Sequence, residues 1–306
     1  MVNVLEVEGL TKRYGTKPAV EDLGFAVGQG QIFGFLGPNG SGKTTTIGMM
    51  FGVIRPTRGN ISVFGESNRA ALARGRMSGT LEQPNLYPYL TGWDNLAVVA
   101  AIKGLDKRLI EPALAAVEML EPARRVVKSY SLGMKQRLAL AGAMLGDPEL
   151  LILDEPTNGL DPEGMREIRE LVVRLSRSGR TIILSTHLLD EVEKICTHVA
   201  ILQHGRLQRS GAVTDFTGAK VTFRLCAEDT RQLFEAVSQY EFATDVRVTG
   251  DAVYLDLIDE APARLNRHLA ARGIYLKELS SQRQTLEEAF LAVTAAKATA
   301  RAGEEA

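Results

Sequence analysis

Gly37 to Thr44 read GPNGSGKT, a fit to G-x-x-x-x-G-K-[ST], and no other segment restricts the fold of this chain as much. An apolar run, QIFGFL, leads into it and TTTIGMM leads out, so the pattern lies where a buried strand gives way to a helix. The residue types follow from the task of holding a polyphosphate. Gly37, Gly40 and Gly42 permit turns in which successive backbone N–H groups face inward, at a helix N-terminus whose dipole favours anions. Lys43 supplies a point charge to the outer phosphates, and the Thr44 hydroxyl is placed to ligate Mg²⁺. Pro38, Asn39, Ser41 and Thr45 complete the candidate cradle. Chance produces these four constrained positions in on the order of one chain in a hundred of this length. A flexible glycine loop is therefore the weaker reading.

Two further segments point to the same chemistry. ELLILDEP and RTIILSTH are continuous apolar runs, as expected of strands buried on both faces of a parallel sheet. The C-terminal edge of such a sheet is where ligands bind. Asp154 and Glu155 close the first run, and an extended strand end would point them to opposite sides. They can then divide labour: Asp154 holds Mg²⁺, and Glu155 faces the terminal phosphate and polarises a water as general base. His187 closes the second run and reaches the same edge, where it could donate to the terminal phosphate and orient the attacking water. His198, His204 and His268 lack that placement and are read as structural.

Composition removes several other classes of function. With 36 Lys plus Arg against 37 Asp plus Glu, the 306 residues carry a net charge of −1, so no global basic field argues for nucleic acid. No uninterrupted apolar stretch of about 18 residues occurs, so a membrane span is not expected. Glu6 and Glu8 stand where a secretory signal would carry basic residues, and a cytoplasmic chain is expected. Cys196 and Cys226 lack paired spacing or a histidine cluster, which supports neither a disulfide framework nor a zinc site.

Along the chain, short β-like runs open the sequence, and helical spacing of apolar residues takes over at about 91–147. That segment is expected to be a helical subdomain inserted between strands. Met165, Ile168, Leu171, Val172 and Leu175 then form a helical stripe between the two buried runs. A composition shift near TDFTGAK suggests a boundary, dividing the chain into residues 1–215 and 216–306. The second part reads β-α-β-β-α-β, a small ferredoxin-like α+β arrangement, followed by a terminal helix starting at TLEEAF.

Taken together, these residues resemble the nucleotide-binding subunits of ATP-binding cassette transporters. Besides the P-loop and LLILDEP, the chain has YSLGMKQR (130–137) at the place of the family signature, NGLD (158–161) at the D-loop and STHLLDEVE at the histidine switch. The resemblance covers residues 1 to about 215, and it implies an α/β P-loop NTPase (RecA-like) fold that binds ATP with Mg²⁺ and hydrolyses it. Tyr14 in TKRYG matches the aromatic that stacks on adenine in the family. The family pairs two cassettes head to tail, so Ser131 and Gly133 are expected to meet the ATP of a second copy, most simply in a homodimer, and Asp161 of the D-loop is expected among the nucleotide-binding residues. Leu132 and Met134 replace the usual Gly and Gln of the signature. The Q-loop glutamine aligns with Glu82, with Gln83 displaced by one, so both are candidates beside the phosphates and Glu82 also beside the metal.

Glu82 together with YSLGMKQR looks like the bacitracin and lantibiotic self-protection branch of exporters. The resemblance thus implies a subunit peripheral on the inner face of the membrane, powering export of a drug, peptide antibiotic or lipid-like substrate through a separate polytopic permease. Trp93 and Tyr89 either line a groove for a helix of that permease or pack as satellite core. The alternative function is a soluble cassette ATPase of DNA repair or translation; such proteins usually carry tandem cassettes, coiled coils or zinc insertions, and this sequence has none of them.

Overall fold

Alternation of apolar and polar residues in VLEVEGL and AVEDLGFAV builds a long hairpin, β1 (Asn3–Tyr14) and β2 (Lys17–Gly28). This computed structural model describes residues 2–81, 83–217, 221–258, 261–283 and 285–290. The chain then enters β3 (Ile32–Leu36), turns through the glycine-rich loop into α1 (Lys43–Met50), and returns as β4 (Arg58–Val63) and the short β5 (Glu66–Ser67). β4 pairs with β1, giving a four-stranded antiparallel sheet in the order β2-β1-β4-β5. Its apolar face packs on α1 and the central sheet, with the Phe25 and Phe33 rings stacked at 5.6 Å.

After α2 (Ala71–Arg76) and β6 (Met77–Thr80) comes a helical segment: α3 (Gly92–Lys103), α4 (Ile110–Ala116) and α5 (Leu132–Met144), with one 3₁₀ turn in the first connection and two in the second. Thr91 caps α3 by accepting from Asp94 N at 3.0 Å, and Gly104 at φ 67° ends it. Lys103 then reaches the C-terminal end of α5, donating to the carbonyls of Gly142 and Leu145 at 3.1 and 3.0 Å. Burial there pulls its amine below the usual lysine range.

The remaining elements of this unit are β7 (Leu150–Asp154), α6 (Pro162–Arg177), β8 (Thr181–Thr186), α7 (Leu189–Ile195), β9 (His198–Gln203) and β10 (Arg206–Ala212). The central sheet runs β10-β9-β3-β8-β7-β6, parallel except for the β9–β10 hairpin. Every residue of β3, β7 and β8 is buried, which is why these strands read as unbroken apolar runs. Register aligns Leu36 with Thr186 and Asp154 with Ser185. The glycine-rich loop, the acidic pair and His187 therefore leave the sheet at one edge.

Among the described residues the chain divides into two compact units, residues 2–212 and 213–290. The second unit holds α8 (Thr214–Thr217), β11 (Val221–Cys226), α9 (Thr230–Ser238), β12 (Ala243–Thr249), β13 (Ala252–Leu257), α10 (Pro262–Ala270) and β14 (Glu278–Arg283). Its sheet order, β12-β13-β11-β14 with every pairing antiparallel, is ferredoxin-like. Leu233 and Val237 of α9 and Leu265 and Leu269 of α10 share one core with Phe223, Leu225, Val253 and Leu255 of the sheet. The terminal helix expected after Thr285 lies outside the described residues beyond 290, as does Glu82.

Among the described residues no helix is long and apolar enough to cross a membrane. Both cysteines are free and buried, and burial pushes the Cys196 thiol up, which leaves it a packing group and not a nucleophile.

Candidate functional site

The glycine-rich loop is held by close backbone approaches that only glycine allows. A Cβ on Gly37 would lie 2.4 Å from the Leu202 carbonyl oxygen, and Gly42, at φ 101°, would drive one to 2.7 Å from the Ala19 carbonyl. Gly37→Ala is accordingly expected to cost about 1–3 kcal/mol by overpacking against main chain. Differential scanning calorimetry of the variant reads this directly; an unchanged Tm would mean that the loop has slack the geometry denies.

Gly42 caps α1, and Lys43 is its first residue. The buried Lys43 ammonium folds back over the loop, donating to Gly37 O at 2.7 Å and Pro38 O at 3.4 Å, and lies 3.4 Å from Glu155 Oε1. The Ser41 hydroxyl is buried and has no hydrogen-bond partner among the described residues, a polar group placed for an external acceptor or donor. Around this loop opens a cleft of about 830 Å³, within the size of small-molecule sites. Asn39, Gly40, Ser41, Gly42, Lys43, Thr44, Thr45 and Glu155 line one end, with Tyr14, Lys17 and His204 also on its wall. Tyr14 is 55% exposed, and Lys12 Nζ sits 5.0 Å from its ring centroid. The cleft thus combines an aromatic face with a cradle of N–H groups and ammonium charge.

The acidic pair departs from the expected geometry. β7 ends at Asp154, and Glu155 turns into the left-handed region at φ 47°, so the two carboxylates do not alternate along an extended strand. Ser185 on the neighbouring strand causes the turn: its Oγ and carbonyl accept from Glu155 N at 3.0 and 3.2 Å, while its hydroxyl donates to Asp154 Oδ1. Glu155 is 7% exposed and lies between two partners, Lys43 at Oε1 and His187 Nδ1 at 3.0 Å from Oε2. A carboxylate only accepts, so Nδ1 is the donor in this contact.

Hard oxygen donors, the Asp154 carboxylate and the Thr44 hydroxyl, suit Mg²⁺. Among the described residues no cluster of three or more His, Cys, Asp or Glu could hold a metal unaided.

Other expected residues stand apart from this cleft. Ser131 caps α5 by accepting from Met134 N at 3.2 Å, and Asp161 caps α6 by accepting from Gly164 N at 2.9 Å. A Cβ at Gly133 would meet nothing nearer than Leu160 Cδ2 at 3.9 Å, so the α5 N-terminus is open to approach. Gln83 is exposed, and Trp93 and Tyr89 are 38% and 78% exposed. Sequence reasoning missed Ser185, whose role comes from register with Asp154. Lys17 and His204 also line the cleft. The Gly205 N–H donates to Ser41 O at 3.0 Å and pins the turn that carries His204 to the loop, a contact the sequence does not show.

Residues 20–158 match the family described as ABC transporter. The chain is 38% identical over 303 residues to the bacitracin transport ATP-binding protein BcrA of Bacillus licheniformis, covering 95% of this chain and 97% of that one. It is 36% identical over 300 residues to the Nod factor export ATP-binding protein I of Bradyrhizobium diazoefficiens, covering 95% and 96%. A solved ATP-binding subunit of an ABC transporter superposes with a TM-score of 0.63 at 33% identity, covering 70% of this chain and 91% of its own.

Proposed function

Given that the chain belongs to the ABC transporter family as an ATP-binding subunit that hydrolyses ATP, we propose that it powers export through a separate membrane permease. The substrate class we assign is a drug, peptide antibiotic or lipid-like molecule, as the relatives that serve bacitracin transport and Nod factor export suggest. The observation that carries the mechanism is the Glu155 carboxylate, held between Lys43 and His187 where the cleft meets the glycine-rich loop.

In this reading Tyr14 stacks on adenine, and Gly37 to Thr45 hold the phosphates through N–H groups and the Lys43 ammonium. Phosphate oxygens compete with Glu155 for Lys43, so substrate entry releases Oε1 to accept a proton from the attacking water. His187 holds Oε2 from Nδ1. It reaches the terminal phosphate as a donor from Nε2 only when both ring nitrogens are protonated. Thr44 and Asp154 would hold Mg²⁺, which would neutralise phosphate charge.

Ser131 and Gly133 open α5 away from the chain's own cleft, and we assign them to the ATP of a second copy. The capping hydroxyl uses its lone pair on Met134 N, so its hydrogen remains available to a phosphate. A subunit of this kind sits on the cytoplasmic face of the membrane with its permease. Mixing two inactive forms tests the shared site. Lys43→Ala removes the phosphate charge and Gly133→Asp sets a carboxylate at the α5 N-terminus. An equal mixture forms half heterodimers with one intact site each, so about a quarter of native hydrolysis should return. A mixture as inactive as its parts would defeat the composite site.

A further inference from the structure

Glu155 and His187 leave different strands, yet hydrolysis as proposed needs them within one hydrogen bond. A side-chain pair beneath them spans both connections. Arg169, in the middle of α6, donates from Nη1 to Glu191 Oε1 in α7. Lys194 Nζ lies 3.6 Å from the same oxygen, and Glu191 is 7% exposed. α6 starts directly after the loop that Glu155 opens, and Glu191 stands one helical turn beyond His187. Glu191 Oε2 is buried without a hydrogen-bond partner among the described residues. Arg169 and Glu191 also line a cavity of about 10 Å³, room for one water, whose walls include Pro156, Thr157 and Thr186. Those residues are the ones immediately after Glu155 and immediately before His187.

We infer that Arg169 and Glu191 are positioning residues for ATP hydrolysis, clamping α7 to α6 so that His187 stays in register with Glu155. The inference rests on the proposed roles of Glu155 and His187. A carboxylate this buried is held in one place by its guanidinium partner, because swinging out would abandon the charge pair. α7 has seven residues and no side-chain cap, so its own helical bonds constrain it weakly. The unpartnered oxygen gives the carboxylate nothing else to hold on that side. Loss of the clamp should leave the nucleotide cleft intact and loosen the base, a defect in turnover and not in binding.

The test uses the full-length chain and steady-state ATP hydrolysis, together with ring-nitrogen NMR signals of its 4 histidines. Glu191→Gln is expected to lower kcat about ten-fold or more with the KM for ATP within about two-fold, and to shift the His187 ring signals while those of His204 and His268 stay. Arg169→Lys should recover part of the loss seen in Arg169→Met. An Arg169→Met, Glu191→Met double variant leaves no buried charge unpaired, Lys194 being half exposed, and keeps the test valid if the single changes unfold the chain. Native kcat in these variants, or a lower kcat with unmoved His187 signals, overturns the inference. If Glu155→Gln is inactive while the Arg169 variants are native, the clamp alone fails. If Glu155→Gln is active, the underlying reading fails.

Discussion

Glu155→Gln is expected to cut ATP hydrolysis by about 10² to 10⁴-fold, the contribution of a positioned general base, while ATP still binds. The amide has the size of the carboxylate and still accepts from His187 Nδ1, which lies 3.0 Å from Oε2. What it lacks is basicity. Removing the negative charge 3.4 Å from Lys43 also frees that ammonium for phosphate, so ATP affinity should hold or rise. With the γ-phosphate uncleaved, the variant should accumulate as an ATP-bound dimer, visible by sedimentation as a doubling of mass that ADP does not produce. Native turnover would remove Glu155 from the chemistry.

Lys43→Ala should have the second largest effect, through binding. The ammonium is 6% exposed and bridges the Gly37 carbonyl, the Pro38 carbonyl and Glu155. Truncating one member of a buried charge pair costs about 2–5 kcal/mol, much of it from the partner left behind. Here Glu155 would face incoming phosphates with its charge uncompensated by lysine. ATP affinity is therefore expected to fall by about 30-fold to several thousand-fold, measured by titration calorimetry. The fold should tolerate the change, since the lysine is first in its helix and α1 keeps its buried face. An affinity within two-fold of native would mean that backbone N–H groups alone hold the phosphates.

Much of this architecture was legible because it depends on local pattern. Residues 32–36, 150–153 and 182–184 are apolar without interruption, and all lie in buried central strands. The order of elements in the second unit follows from strand and helix periods that alternate cleanly. What stayed hidden depends on register and on contacts between distant segments. Nothing in LLILDE announces that Glu155 leaves the extended region, because the cause is Ser185, thirty residues on and paired across the sheet. That His204 lines the cleft follows from the turn beside it, where Gly205 N is bonded to Ser41 O. Ser131 and Asp161 were expected at a phosphate, and within one chain each hydroxyl or carboxylate caps its own helix. Gln83 is exposed, and its place relative to phosphate is a matter for the assembled site.

The central claim is that hydrolysis at Glu155 serves a membrane permease. The most direct measurement is purification of the tagged chain from detergent-solubilised membranes of its own cells. The proteins that accompany it are identified, and Mg-ATP hydrolysis of that assembly is compared with the Glu155→Gln form. A polytopic membrane protein copurifying with hydrolysis that the substitution abolishes is the predicted result. Recovery with ribosomes, DNA or a soluble partner and no membrane protein would leave the ATP chemistry standing and contradict the transport role.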